Sequence, residues 1–215
     1  MIVPEVDWYI DFISPYVHLQ AEMLARDPLP VRLRVRPVLF AGLLEHWGHK
    51  GPAEIPGKRA FTFRNVVWRA HRLGLTLCAP PYHPFNPLRL LRLAVALDAD
   101  FDTALALSRF VWRDGKVPDD DASWRQLTTA LSIADADARI ANPEVKARLR
   151  ENGERAIACG VFGVPTLVIG GQLFWGADAT DMARDWLAGA PVFASDEMRR
   201  ADALPEGRHR ANRRP

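Results

Sequence analysis

The chain has 215 residues, 48% of them hydrophobic and 25% charged, with a formal net charge of +2 at pH 7. Such a length and balance support one sizeable globular core and exclude a disordered chain, and so small a net charge gives no electrostatic case for nucleic acid as a partner. No apolar run approaches the roughly 18 residues of a membrane span and no basic region followed by an apolar one opens the chain, so no membrane partner is expected and a cytoplasmic location is.

Val6, Trp8, Ile10 and Phe12 stand at alternate positions, the period of a strand buried on at least one face. Helix is predicted to begin just beyond them. Ser14 suits the N-cap, because its hydroxyl can accept from open amides, and Pro15 suits the first helical position, where its missing N–H would have no partner. The hydroxyl then either caps the helix or lies where amides and dipole favour an anion. From Val31 to Val38 apolar residues alternate with Arg32, Arg34 and Arg36, which predicts a second strand with one solvated or paired face, ended by Pro37. The period of two is lost after that. A short helix is predicted over 40–47 and a longer one over 59–73, with Phe63, Val66, Val67 and Ala70 on one face. Helices over 88–97, 101–112, 123–131 and 143–159 complete a block whose Trp and Phe residues are expected in the core.

Val164-Pro165-Thr166 precedes the apolar run Leu167, Val168, Ile169 and the Gly170-Gly171 turn. Pro165 therefore stands at the mouth of a strand leading into a hairpin, a position where a proline is often cis. Asp178 or Thr180 is expected to cap a last helix ending near Gly189. Arg199, Arg200, Arg208, Arg210, Arg213 and Arg214 make the end of the chain basic, and Asp196, Glu197, Asp202 and Glu206 dilute that charge. Residues 191–215 are expected to form a disordered tail. The order strand–helix–strand, helical block, strand–strand–helix predicts an α/β, thioredoxin-like fold: a discontinuous unit of residues 1–40 and 160–190, split by a helical insert of residues 41–159.

The two cysteines, Cys78 and Cys159, are far apart and belong to no CxxC pair, which argues against a metal site and against disulfide exchange; partly buried thiols are expected. The segments Asp11-Phe12-Ile13-Ser14-Pro15-Tyr16-Val17 and Gly160-Val161-Phe162-Gly163-Val164-Pro165-Thr166 together look like a thioredoxin-type active site with serine in place of cysteine.

Five motifs occur in a telling order: Pro37-Val38-Leu39-Phe40-Ala41-Gly42-Leu43-Leu44, Gly51-Pro52-Ala53-Glu54-Ile55-Pro56-Gly57-Lys58-Arg59, Pro84-Phe85-Asn86-Pro87, Gly163-Val164-Pro165-Thr166 and Phe174-Trp175-Gly176-Ala177-Asp178. Over residues 6–190 the chain resembles the 2-hydroxychromene-2-carboxylate isomerases, which are similar to the kappa-class glutathione transferases and share the fold of the DsbA oxidoreductases. The resemblance implies a DsbA/kappa-type fold with a large α-helical insertion, glutathione as cofactor, and a homodimer. Glutathione would lie along the loop before Pro165, its cysteine amide groups on the backbone of Val164 and its γ-glutamyl end near Ala177 and Asp178. Its thiol would point at Ser14, the implied catalytic residue, whose hydroxyl donates to a thiolate.

The implied reaction is reversible thiolate addition to a small aromatic carboxylate, rotation about the former double bond, and elimination, with glutathione returned. His49, Lys58, Arg59 and Asn86 are the candidates for substrate binding. Each has a plain alternative: Lys58 and Arg59 as a solvated helix start, Asn86 as a turn before Pro87, His49 as an exposed loop residue. His83 beside Pro84 has the same two readings. The chain departs from the pattern with His49 at a usual asparagine, Ala177 at a usual polar residue and Ala179 at a usual arginine. A kappa-like transferase or peroxidase, and a non-catalytic binding protein, are the alternative functions.

Overall fold

The computed structural model describes residues 3–205 and 207. Two parallel strands open the fold, β1 (Glu5–Ile10) and β2 (Arg32–Pro37), joined by helix α1 (Pro15–Arg26). The hairpin of β3 (Thr166–Ile169) and β4 (Gln172–Trp175) completes a four-stranded sheet of order β2-β1-β3-β4, in which β3 runs antiparallel to both neighbours. Trp8 is paired with Val35 on one side and Leu167 on the other, so apolar residues of three strands meet across the sheet. The arginines of β2 lie on a paired face, as expected: Arg34 Nε and Arg36 Nε donate to Asp7 Oδ1 at 2.6 and 2.8 Å. Burial raises the Asp7 pKa, but the two guanidiniums outweigh it and hold the carboxyl below its usual range.

The helical block comprises α2 (Phe40–His46), α3 (Pro56–Arg72), α4 (Leu88–Ala96), α5 (Phe101–Trp112), α6 (Asp121–Ala130), α7 (Ala136–Ala141) and α8 (Pro143–Ala158). One core cluster joins strand residues Trp8 and Phe174 to Leu90, Leu107, Trp124 and Val145 of the insert. The division at residues 41 and 159 is thus one of chain order, and the packing is shared. Helix α5 locks onto α1 through the Arg109–Glu22 pair (2.6 and 2.9 Å) and the contact of His18 Nδ1 with Ser108 Oγ (3.1 Å). Helix α3 lies along the other flank of α1, and α8 covers the outer edge of the sheet, where Asn152 Nδ2 donates to the Pro37 carbonyl at 3.1 Å.

Several expectations need correction. Residues 191–205 are not a featureless tail: a 3-10 turn (Pro191–Ala194) is followed by α10 (Asp196–Asp202), after α9 (Thr180–Leu187). Ser195 Oγ accepts from the Met198 N–H, and acidic residues in the first turn of α10 with basic ones in its last turn suit the helix dipole, so a segment of disorder-like composition is helical. Of that tail, residues 206 and 208–215 lie outside the described residues. Neither Asp178 nor Thr180 caps α9, whose N-cap is Ala179 without a side-chain bond. Val67 and Trp68 are exposed on the outer side of α3, so its buried face is narrower than the hydrophobic spacing implied. Cys78 and Cys159 are both exposed: Cys78 lies in the irregular segment after α3, and Cys159 is the C-cap of α8. Among the described residues no helix is long and apolar enough to cross a membrane.

Candidate active site

Ser14 has N-cap backbone angles (φ −89°, ψ 119°) and Pro15 fills the first helical position, as the sequence requires. Its hydroxyl, however, caps nothing. It donates instead to the Val164 carbonyl at 3.4 Å, beside the cis Val164-Pro165 bond. A hydroxyl bond this long is weak beside the usual 2.7–2.8 Å, so the proton is free to turn to a stronger acceptor. The first turn of α1 carries no acidic residue, and its open amides give the serine an anion-friendly setting. Ser14, Val164 and Pro165 are all largely buried.

Asp11 holds the loop in front of Ser14. Its carboxylate accepts from the Ile13 N–H (3.0 Å) and the Phe40 N–H (2.9 Å), and its main-chain carbonyl accepts from the Ser14 N–H (3.0 Å). Complete burial pushes this carboxyl up to about 7 against those two donors. On α1 itself, Gln20 ties the helix to β1 and to the turn after β4: its Oε1 accepts from Trp8 Nε1 at 2.7 Å, and its Nε2 donates to the Gly176 carbonyl (3.2 Å) and Thr180 Oγ1 (3.0 Å). The Gly176 N–H donates to the Pro165 carbonyl at 2.8 Å. Ala177 and Asp178 are therefore held in a 3-10 turn (Ala177–Ala179) beside the proline loop, with Ala177 buried and Asp178 exposed.

Helix α3 supplies the opposite wall. Tyr16 Oη donates to Asn65 Oδ1 at 3.2 Å, and Arg69 Nη2 stands 3.9 Å from Asp178 Oδ2. Burial raises the Tyr16 pKa, with Arg69 lowering and Asp178 raising it further, so the three groups share one electrostatic environment. At the start of α3, Arg59 Nη1 donates to the His83 carbonyl (2.7 Å), and His83 Nε2 bonds the Ile13 carbonyl (3.0 Å), one residue from Ser14. Phe63, His83 and Trp112 form an aromatic group there, with centroids 5.2 Å (Phe63–His83) and 5.9 Å (His83–Trp112) apart, and the Trp112 indole N–H donates to the Phe12 carbonyl. Burial lowers the His83 pKa, and its neutral ring suits this setting.

The structure thus gathers Ser14, Val164, Pro165, Ala177 and Asp178 at one place and connects Arg59 to them through His83. Lys58 is exposed at the start of α3, on the flank that carries Asn65 and Arg69. Asn86 closes a local turn through one side-chain atom: its Oδ1 accepts from the Leu88 N–H at 3.0 Å, which is its turn reading. His49 is exposed in the loop after α2, where its main-chain N–H donates to the Leu44 carbonyl. Tyr16, Asn65 and Arg69 were not among the candidates. The spacing of positions 58, 62, 65 and 69 places them on one helix flank, but which flank faces α1 follows only from packing.

A parallel pair followed by an antiparallel hairpin, with a cis-proline loop facing the start of the first helix, is the thioredoxin arrangement. Residues 5–188 match the DSBA-like thioredoxin domain. The chain belongs to that family. Among curated relatives it is similar to glutathione S-transferase kappa 1 of Homo sapiens, 26% identical over 198 residues and covering 82% of this chain and 88% of the relative. It is also similar to 2-hydroxychromene-2-carboxylate isomerase of Pseudomonas sp. (strain C18), 25% identical over 196 residues, with 87% and 92% covered. Among solved structures, a 2-hydroxychromene-2-carboxylate isomerase superposes with a TM-score of 0.75 at 22% identity, covering 94% of this chain and 100% of that one, and so agrees in fold.

Proposed function

We propose that the chain is a glutathione-dependent cis–trans isomerase of the 2-hydroxychromene-2-carboxylate type, working in cytoplasmic catabolism of aromatic compounds. The observation that carries this reading is the Ser14 hydroxyl, buried at the open start of α1, weakly bonded to Val164 and with no cysteine in the motif around it. Such a group can donate to a thiolate and cannot exchange disulfides. The residues present fit a peptide-like thiol. Among the described residues the Val164 N–H has no acceptor, Pro165 closes the loop beside it, Ala177 backs the neighbouring turn, and the Asp178 carboxylate is exposed for an ammonium group.

Bound glutathione would supply a thiolate able to add reversibly to a conjugated carbon and to leave again unchanged. Ser14 and the α1 amides keep that sulfur ionised at neutral pH, and Asp11 keeps Ser14 in place. Phe63 and His83, backed by the buried Trp112, offer a wall for a substrate ring, and Arg59, 5.2 Å above the Phe63 ring centroid, offers a cation for its carboxylate. Lys58 at the same helix start is a second cation, and His49 a hydrogen-bond donor from the loop before it. Asn86 keeps its Nδ2 for substrate, since only its Oδ1 is engaged. A homodimer belongs to the same proposal, with the exposed Phe61 and Trp68 of α3 as the apolar surface available for pairing.

Stoichiometry tests the reaction. Purified protein given a hydroxychromene carboxylate and substoichiometric glutathione is expected to form the trans-benzylidenepyruvate over many turnovers while the free thiol titre stays constant. Loss of one thiol per product would instead support the transferase reading, for which the likeness to the human kappa enzyme is the specific observation.

A further inference from the structure

Tyr9 belongs to the face of β1 that carries Asp7, and β2 sets Arg34 opposite Asp7 and Arg36 opposite Tyr9. The Tyr9 side chain is fully buried, yet its hydroxyl makes no hydrogen bond, whereas a buried phenol nearly always has a partner. The groups that act on it are Asp7, Cys159 and Arg36, and the Cys159 thiol is near enough to serve as an acceptor. Burial above all, then Asp7 and Cys159, raises the Tyr9 pKa against the opposing Arg36, so the proton stays on the oxygen and is available to donate. Cys159 itself is exposed: it is the C-cap of α8, the residue from which the chain leaves that helix for the Pro165 loop. An idle donor thus lies sealed beneath an accessible thiol. Positions 148, 152, 155 and 159 share one flank of α8 by their spacing. Toward the start of that flank, α8 and the outer edge of β2 border a cleft of about 430 Å³ to which Arg36 and Arg155 both contribute, together with Glu151. Arg36 is engaged by Asp7, and Arg155, one turn before Cys159, has no ion pair among the described residues. The other exposed thiol is placed differently: Cys78 Sγ donates to the main-chain carbonyl of its neighbour Ala79, at 3.8 Å, and no side-chain donor bonds it.

We infer that Cys159 is a modification site that takes glutathione as a mixed disulfide, with Tyr9 as the residue that holds its thiolate and Arg155 as the cation that receives the incoming anionic disulfide. The Cys159 thiol gives up its proton, and the Tyr9 O–H donates to the sulfur, which supplies the buried hydroxyl with the partner it lacks. The thiolate attacks one sulfur of glutathione disulfide: a bond forms between Cys159 Sγ and that sulfur as the original S–S bond breaks. Glutathione leaves as a thiolate and takes up the proton, so Cys159 is oxidised and the departing half is reduced. Excess glutathione reverses the exchange.

The test is the rate at which the full chain takes up glutathione from glutathione disulfide at neutral pH, read by mass spectrometry of acid-quenched samples and assigned by peptide mapping. Cys78 serves as the internal standard. Wild type is expected to acquire one glutathionyl group at Cys159 about tenfold faster than at Cys78. Tyr9→Phe removes only a hydroxyl and should slow Cys159 by about three- to tenfold, since a larger pKa reduces the thiolate fraction and returns part of that loss as nucleophilicity. The rate at Cys78 should not change, which also reports an intact fold. Arg155→Gln should slow the reaction of Cys159 with glutathione disulfide by about threefold and leave its reaction with the uncharged hydroxyethyl disulfide as it was. Equal rates at the two cysteines, a wild-type rate at Cys159 in Tyr9→Phe, or an Arg155→Gln effect that is the same for both disulfides would overturn the inference. The readout needs no turnover, so its outcome is independent of the reaction proposed above.

Discussion

In the proposed function Ser14 acts through a single proton. Replacing it with alanine removes one charge-assisted donor, a loss of about 1.5–3 kcal/mol in thiolate stabilisation, or roughly 1–2 units in the bound thiol's pKa. Ser14→Ala is therefore expected to lower kcat/KM at pH 7 by tenfold or more, with the melting temperature nearly unchanged because the hydroxyl caps no amide. Steady-state kinetics beside thermal unfolding checks both halves. Ser14 and Pro165 were legible in the sequence because each lies in a short motif whose local geometry follows from its own residues. Arg69 and Asn65 were not, since their role depends on how α3 is rotated against α1. The Ser14 hydroxyl was legible as a cap and turned out to face Val164, a contact 150 positions away that no local rule foresees.

Gln20 is the joint between α1, β1 and the turn that holds Asp178. Gln20→Leu would leave the buried Trp8 indole N–H without its acceptor and remove the amide that donates to the Gly176 carbonyl and Thr180 Oγ1, whose own bond to the Ala177 carbonyl remains, at a cost of about 2–3 kcal/mol. Urea unfolding should show that loss, and glutathione affinity should fall with it because Gly176 is released; unaltered stability would mean water replaces the amide. By contrast, α10 buries no side chain. Deleting residues 196–215 is expected to change unfolding free energy by less than about 0.5 kcal/mol, again by urea titration. The long helices were legible from apolar spacing, and 101–112 was predicted to the residue. Helices α7 and α10 were not, because α7 is a six-residue helix and α10 lies on the surface, held by end charges and a serine cap where there is no apolar stripe to read.

Across the whole molecule, two buried groups pull stability in opposite directions with pH. His18 is fully buried, and burial holds its pKa down at about 4 against 6.5 for the free side chain. The unfolded chain takes up that proton first, so the contribution is complete above 6.5 and is lost as pH falls toward 4, by roughly 3 kcal/mol at most. Asp11 has the reverse sign. With its carboxyl pushed up to about 7 from 3.8, its contribution is complete below 3.8 and lost as pH rises through 7. Between pH 4 and 6.5 the two partly cancel in wild type. In His18→Gln the loss of stability from pH 7 to pH 4.5 should be smaller by about 2–3 kcal/mol, measured by urea titration at both pH values; equal losses would show that His18 is protonated within the fold. The α/β order of elements was legible from the changing hydrophobic period, whereas this buried pairing of α1 with α5 required the packed structure.

The claim that Ser14 holds a glutathione thiolate is tested most directly by the ultraviolet thiolate band of glutathione titrated into wild type and Ser14→Ala from pH 5 to 9. A saturable band in wild type, with an apparent pKa below the roughly 8.5 of a free thiol and raised by a unit or more in the variant, is the expected result. No saturable band, or the same pKa in both proteins, would contradict it.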